Sequence, residues 1–128
     1  MYEVYNKAMS WKQAKEFCKS KGSMLAMIKS DLQNSDIHDI ATEVLGPNKR
    51  HLLWNGLQRT GSSWTWIDGS PATYTKWISD QPDNWRGDED CVHMYVATNV
   101  EPPHRDRHWN DIACNRTDVY VVCQRYPG

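Results

Sequence analysis

The stretch Trp109-Asn110-Asp111-Ile112-Ala113-Cys114 decides how this chain of 128 residues folds. Two shorter stretches precede it, Gln81-Pro82-Asp83 and Glu89-Asp90-Cys91. Together the three stretches supply five side chains with oxygen donors: Gln81, Asp83, Glu89, Asn110 and Asp111. Carboxylate and amide oxygens, without thiolate or imidazole, are the donors that a hard cation such as Ca²⁺ prefers. The pattern therefore predicts an oxygen-lined cation site beside two cysteines.

Length and composition favour one domain, residues 1–128, and exclude two classes of protein. The net charge is −1 and acidic and basic residues are interspersed, so the chain lacks the basic footprint of a nucleic-acid-binding protein. No apolar run approaches the roughly 18 residues of a membrane span, so we expect no membrane insertion. The start shows no signal-peptide pattern, as in a mature chain or an excised domain. Seven Trp and six Tyr against one Phe suit a compact core with a wet recognition surface.

Four cysteines form an even set with three pairings open. If the protein is secreted, two disulfides are expected; four thiols in a cytosolic protein are the alternative. Asn115-Arg116-Thr117 is a glycosylation sequon, which adds weak support for secretion. We therefore expect an extracellular protein with two disulfides.

Capping signatures and apolar spacing predict two helices in the first half of the chain. Ser10 and Gln13 form a capping-box pattern before a helix that starts at Trp11 and stops at Gly22. Ser30 and Gln33 repeat the pattern before a second helix. Its apolar residues follow helical spacing up to Gly46-Pro47: Ile37, Ile40, Ala41, Val44 and Leu45.

Short apolar segments predict the strands, at residues 24–28, 52–57, 64–67, 91–96 and 119–124. Periodicity vanishes over residues 70–90, and a loop of that length is usually functional. Two helices together with short strands predict an α+β fold with a mixed or antiparallel sheet.

The order of these motifs resembles the C-type lectin domain family almost end to end. Tyr5-Asn6-Lys7-Ala8-Met9-Ser10-Trp11, leading into Phe17-Cys18, resembles its first helix. Trp54-Asn55-Gly56-Leu57 resembles its Trp-Ile-Gly-Leu core strand, with Asn55 in place of the usual Ile. The three oxygen-rich stretches match its site motifs. The resemblance implies a C-type lectin fold with a long calcium-binding loop and the nested disulfides Cys18–Cys123 and Cys91–Cys114.

The resemblance also implies one calcium site that binds sugar directly. Five residues match the family's ligands: Gln81, Asp83, Glu89, Asn110 and Asp111. Asp111 would add its backbone carbonyl, and the Gln81–Pro82 peptide would be cis. Two vicinal sugar hydroxyls would complete the Ca²⁺ coordination and bond to the same carboxylates and amides. The implied carbohydrate contacts are Gln81, Asp83, Trp85, Glu89 and Asn110.

Residue order in the site predicts a preference for galactose or N-acetylgalactosamine. Gln81 before Asp83 resembles the family's galactose-type arrangement, whereas Glu before Asn is the mannose type. Trp85 stands where galactose-binding members carry an aromatic side chain that stacks on the sugar; packing into the loop is the alternative. Only Arg86-Gly87-Asp88 separates Trp85 from Glu89. The family's glycine-rich insertion is therefore missing, and a mixed mannose and galactose preference is an alternative.

A second calcium site, common in the family, is not expected. Arg59 stands three residues after Gly56, and Asn84 follows Asp83, where the family often has Asp. Asp90 alone does not make a site. Residues 97–108 form an unusually long segment that either borders the sugar site or is a solvated loop. His104 and His108 have helical zinc spacing, but Pro102 and Pro103 argue against a helix and against zinc.

Three classes of function were weighed. The preferred one is a lectin for galactose-type glycans on glycoproteins or cell surfaces, with homo-oligomerisation left open because no oligomerisation element is evident. A protein-binding or ice-binding module without sugar activity is the alternative, although such members usually lose the ligands. An enzyme is not expected, since Asp83, Glu89 and Asp111 are assigned to the metal and no acid is left for catalysis.

Overall fold

The computed structural model contains two helices and one mixed sheet, and it describes residues 1–79, 81–82 and 89–125. The helices are α1, Trp11–Ser20, and α2, Asp31–Leu45. The strands of the described part are β1 Tyr2–Ala8, β2 Met24–Leu25, β3 His51–Thr60, β4 Ser63–Trp66, β5 Cys91–Val96, β6 Trp109–Ile112 and β7 Tyr120–Gln124. The sheet order is β1-β7-β3-β5-β6, with β2 on β7 and β4 on β3. Only β3 and β7 pair in parallel among these strands.

Helix α1 begins at the predicted capping box. The Gln13 amide donates to Ser10 Oγ at 3.2 Å, and the Ser10 amide donates to Gln13 Oε1 at 3.0 Å. Two backbone donors at the helix start are thus satisfied. The helix buries Trp11, whose indole donates to the Asn55 carbonyl at 3.0 Å, and so joins the sheet at β3.

Helix α2 is also confirmed, with two departures from the sequence pattern. The Gln33 amide donates to Ser30 Oγ, but the Gln33 side chain accepts from the Lys29 amide at 2.7 Å rather than from Ser30. Val44, counted on the predicted apolar face, is 41% exposed. Two polar side chains, Asn34 and His38, are buried on this helix instead.

The strand predictions fail at residues 26–28 and at β6. After Leu25 the regular pairing with β7 ends, and Ala26 connects β7 to β3. The Ala26 amide donates to the Val122 carbonyl of β7, and the Ala26 carbonyl accepts from the Gly56 amide of β3 at 2.7 Å. A Cβ at Gly56 would lie 3.1 Å from that carbonyl oxygen, so a larger residue would push the Ala26 backbone away by a few tenths of an ångström. Strand β6 was interpreted only as a ligand motif.

Both disulfides have the nested pairing that the resemblance implied. Cys18–Cys123 joins α1 to β7, and Cys91–Cys114 joins the start of β5 to the turn after β6. In the part of the chain that the structure describes, no helix combines the length and the apolar character that crossing a membrane requires.

Candidate functional site

Strand β6 carries Asn110 and Asp111 at the edge of the sheet. Asn110 pairs with His93 of β5, and Asp111 pairs with Val92. The segment before Gln81 runs along the other side of β6. The Trp109 amide donates to the Lys76 carbonyl at 2.8 Å, and the Ile78 amide donates to the Trp109 carbonyl at 2.9 Å.

Gln81 lies one turn beyond this contact, because its amide donates to the Ile78 carbonyl at 3.0 Å. The Gln81–Pro82 peptide is cis, as the resemblance implied. Asp83 and Trp85, the two other residues predicted in this stretch, lie outside the described residues, as does Asn84. The backbone contacts therefore connect Gln81 to the start of β6.

Arg59 of β3 connects three further acidic positions. Its Nη2 lies 3.3 Å from Asp111 Oδ2 and donates to the Glu89 carbonyl at 3.4 Å. Its Nε lies 3.2 Å from Asp90 Oδ1, an ion-pair distance without hydrogen-bond geometry. The guanidinium lies over the Trp64 ring, 4.4 Å from its centroid.

The position of Arg59 could not be seen in the sequence. From the sequence, Arg59 counts only against a second calcium ion. The relevant signal is the register, since Gln58 pairs with Cys91 and the Arg59 amide donates to the Asp90 carbonyl at 2.8 Å. The same cation therefore contacts the segment before Cys91 and the carboxylate of Asp111.

The donor set was tested for its fit to a hard cation. Asn110 Oδ1 is buried and has no hydrogen-bond partner among the described residues. A buried amide oxygen without a partner is costly, and a bound cation would satisfy it. The Asp111 side chain is fully buried. Gln81, Glu89, Asn110 and Asp111 thus offer oxygen donors of the type that Ca²⁺ takes.

The described part of the predicted calcium site contains few acidic donors. Within residues 1–79, 81–82 and 89–125, no group of three or more His, Cys, Asp or Glu side chains could hold a metal ion. The predicted calcium set contributes only two acids to these residues, Glu89 and Asp111. Its other members are amides or, in the case of Asp83, lie outside them.

A layer of aromatic rings lies beneath β6. Trp109 is fully buried and packs edge-on against Trp66, Tyr74 and Trp77, with centroid distances of 6.0, 5.9 and 6.1 Å. Its indole donates to Asn34 Oδ1 of α2 at 2.9 Å. The strand with Asn110 and Asp111 is therefore fixed to a helix as well as to the sheet.

The segment 97–108 packs on α2. Asp106 Oδ1 lies 2.6 Å from His38 Nε2 and accepts from the Ala97 amide at 2.8 Å, while Asn34 Nδ2 donates to the Arg107 carbonyl at 3.0 Å. Pro103–Arg105 forms a short 3-10 helix. Of the two alternatives for this segment, the solvated loop does not describe Asp106, whose side chain is only 20% exposed.

His93 is a buried base next to this region. It is 1% exposed on β5, and its ring lies edge-on to Tyr95 with a centroid distance of 4.6 Å. Burial lowers the pKa of His93 to about 4, so the imidazole is neutral at pH 7.

Comparison with known proteins gives the family. The family described as "Lectin C-type domain" matches residues 7–125, and the chain belongs to it. Domains of this family are carbohydrate-recognition domains, generally Ca²⁺-dependent, and this chain is not an enzyme.

Individual relatives and structures agree with this assignment. A "C-type lectin mannose-binding isoform" from Oxyuranus scutellatus is 29% identical over 127 residues, which are 96% of this chain and 75% of the relative. L-selectin from Rattus norvegicus is 32% identical over 120 residues, but the match covers 90% of this chain and only 29% of that protein. The mouse scavenger receptor C-type lectin carbohydrate-recognition domain superposes with a TM-score of 0.76 at 29% identity, covering 99% of this chain and 90% of the other.

Proposed function

We propose that this domain is a Ca²⁺-dependent lectin for terminal galactose or N-acetylgalactosamine, with one Ca²⁺ held by Gln81, Asp83, Glu89, Asn110 and Asp111. One observation carries the proposal: the buried Asn110 Oδ1 has no hydrogen-bond partner among the described residues. A bound cation would satisfy this oxygen, and the next residue of β6, Asp111, adds a buried carboxylate. The membership of the chain in a carbohydrate-recognition family supports the sugar as the second ligand.

The proposed mechanism divides the work between the metal and the side chains. Bound Ca²⁺ would supply two open coordination positions for vicinal sugar hydroxyls. Glu89 and Asp83 accept hydrogen bonds from these hydroxyls, while the amide groups of Gln81 and Asn110 donate to them. A hydroxyl in the wrong geometry leaves one of these groups unpaired, which costs roughly 1–3 kcal/mol. The order of amide and carboxylate therefore selects the sugar.

Two features of the sequence favour galactose-type sugars over mannose. Gln81 precedes Asp83, which is the galactose-type order, and Trp85 offers an indole for the apolar C–H face of galactose. The relative from Oxyuranus scutellatus is described as mannose-binding. That description favours a mixed mannose and galactose preference as the second candidate.

Affinity chromatography tests the proposal directly. The domain should be retained on galactose-agarose in millimolar Ca²⁺, pass through mannose-agarose and elute from the galactose resin with EDTA. Passage through the galactose resin in Ca²⁺ would contradict the specificity, and retention on both resins would favour the mixed preference.

An exchange of two residues tests the role of their order. The double variant Gln81→Glu with Asp83→Asn keeps the number of carboxylates and amides but reverses their positions. It should bind mannose-agarose and lose at least tenfold in affinity for galactose, while calorimetry still detects one Ca²⁺ per chain. An unchanged sugar profile would show that Trp85 and the loop decide selectivity.

A module that binds a protein rather than a sugar is the alternative class. Arg59 favours this alternative, because its guanidinium pairs with the Asp111 carboxylate, which the Ca²⁺ site would also use. This alternative predicts no Ca²⁺ binding by calorimetry and passage through both resins.

The proposed setting is extracellular, with galactose-type glycans on glycoproteins or cell surfaces as partners. The two disulfides agree with an oxidising compartment. A shallow sugar site buries little area, so useful avidity would come from several domains binding one glycan surface.

A further inference from the structure

Lysines accumulate at the start of the chain. Residues 7–21 contain five of them and a single acid, Glu16, whereas the whole chain has a net charge of −1. All five lysines are exposed: Lys7, Lys12, Lys15, Lys19 and Lys21. The near-neutral chain therefore has a local excess of positive charge on one helix and at its two ends.

These lysines form no ion pairs within the part of the chain that the structure describes. None of the five lies within ion-pair distance of a carboxylate among the described residues. Elsewhere Lys29 pairs with Asp68, and Lys76 pairs with Asp31. The ammonium groups near α1 are thus available for an anion from outside the chain.

Their geometry is fixed by the fold. Lys12, Lys15 and Lys19 have the spacing of one helical stripe, which spans about 10 Å along the axis. Lys7 and Lys21 both place Nζ 5.5 Å from the centroid of the Phe17 ring, one from β1 and one from the end of α1. Both ammonium groups therefore lie near the same ring, on the side of α1 away from the stripe.

Helix α1 is joined to the rest of the fold through two of its side chains. Phe17 packs edge-on against Tyr5 with a centroid distance of 4.8 Å, and Cys18 ties the helix to β7 through its disulfide. A polyanion that binds to such a surface orders side chains but not backbone, which lowers the entropic cost of binding.

We propose that the stripe of Lys12, Lys15 and Lys19 on the exposed side of α1 is a second binding surface that takes a sulfated or carboxylated polysaccharide. A linear chain with regularly spaced anions matches a stripe of lysines held at fixed intervals. The other exposed residues of this helix are polar: Gln13, Glu16 and Ser20. With no large apolar side chain exposed on α1, insertion into a lipid surface is disfavoured.

Heparin serves as the probe, in EDTA so that calcium-dependent binding is removed. The wild-type domain should bind immobilised heparin in EDTA and elute as the NaCl concentration rises. It should not bind uncharged dextran. The triple variant Lys12→Gln, Lys15→Gln, Lys19→Gln should lose at least tenfold in affinity and show a shallower dependence of log K on log salt. Unchanged affinity in this variant would overturn the proposal.

A second triple variant controls for the overall charge. Lys29→Gln, Lys49→Gln, Lys76→Gln removes the same charge elsewhere and should keep heparin affinity within about twofold; an equal loss in both triples would overturn the proposal. Tighter binding of the wild type to phosphatidylserine vesicles or duplex DNA than to heparin would also overturn it. The heparin test runs in EDTA, so its outcome does not depend on the calcium site. The polysaccharide proposal and the galactose proposal can therefore fail independently of each other.

Discussion

Arg59 adds a positive charge to a site that the sequence predicts from acids and amides alone. Its guanidinium lies within 3.3 Å of both Asp90 and Asp111, and the Asp111 side chain has no solvent exposure. A buried carboxylate is tolerated only where it is paired, and the loss of the partner is more costly than the net value of the pair. Arg59 therefore keeps two acids close together when no metal is bound.

Removal of this charge should make the domain depend on calcium for stability. In EDTA, Arg59→Gln should lower the free energy of unfolding by about 3 kcal/mol, because the buried Asp111 carboxylate loses the guanidinium that lies 3.3 Å away. Ca²⁺ should then stabilise the variant more than it stabilises the wild type. Urea unfolding of both proteins, in EDTA and in millimolar Ca²⁺, measures the two quantities.

Arg50→Gln is the matched control, because Arg50 is exposed and forms no ion pair with the described residues. This variant should change stability by less than about 0.5 kcal/mol. Equal stability of Arg59→Gln and the wild type in EDTA would refute the role given to Arg59.

At the scale of elements, the sequence predicted those features that local chemistry determines. The capping residues Ser10 and Ser30 and the apolar spacing of α2 are signals within one segment, and both helices begin where these signals predict. Strand β6 was missed because it is four residues long and two of them, Asn110 and Asp111, are polar.

Contacts between distant segments were not predictable from such signals. Asn34 and His38 of α2 are buried because they bond to Trp109 and Asp106. These partners are 75 and 68 residues away in the sequence, so no local pattern indicates them. The ion pairs of Arg59 likewise depend on strand register. Of the predicted site, Gln81, Glu89, Asn110 and Asp111 fall in the described residues, and their assignment as ligands stays a prediction.

The link between α2 and β6 can be tested at Asn34. Its side chain accepts from the Trp109 indole at 2.9 Å and donates to the Arg107 carbonyl at 3.0 Å. Asn34→Leu removes both bonds and leaves the buried Trp109 indole N–H and the partly buried Arg107 carbonyl unsatisfied, so the free energy of unfolding should fall by about 2–4 kcal/mol. Hydrogen exchange at the amides of β6 should accelerate as well.

Asn6→Ala provides the comparison for this substitution, because Asn6 is exposed on β1. It should leave both the unfolding midpoint and the exchange rates of β6 close to the wild-type values. If Asn34→Leu behaves like Asn6→Ala, then the hydrogen bonds of Asn34 do not hold β6 in place.

For the whole molecule, the disulfides and the buried histidine set the stability in different ways. Cys18–Cys123 and Cys91–Cys114 close loops of 105 and 23 residues, and each closure contributes roughly 3–5 kcal/mol through the unfolded chain. This contribution is independent of pH. The contribution of His93 depends on pH, because burial depresses its pKa to about 4 in the folded protein.

The sign follows from proton binding. An unfolded His93 has an ordinary pKa near 6.5 and takes up a proton as the pH falls below that value, whereas the folded residue stays neutral until about pH 4. The unfolded state therefore binds more protons in this window, so stability decreases from pH 7 to pH 4. The difference between the two pKa values corresponds to a loss of about 3 kcal/mol.

His93→Phe should remove this loss, because phenylalanine fills a similar volume and does not titrate. The absolute stability of the variant can differ from that of the wild type. Between pH 7 and pH 4, however, the variant should lose about 3 kcal/mol less free energy of unfolding than the wild type loses. His104→Gln, on the exposed 3-10 helix, should retain the wild-type slope. The stabilities are measured by urea unfolding in EDTA, which excludes any effect of calcium release. Parallel pH profiles for His93→Phe and the wild type would show that His93 does not cause the acid sensitivity.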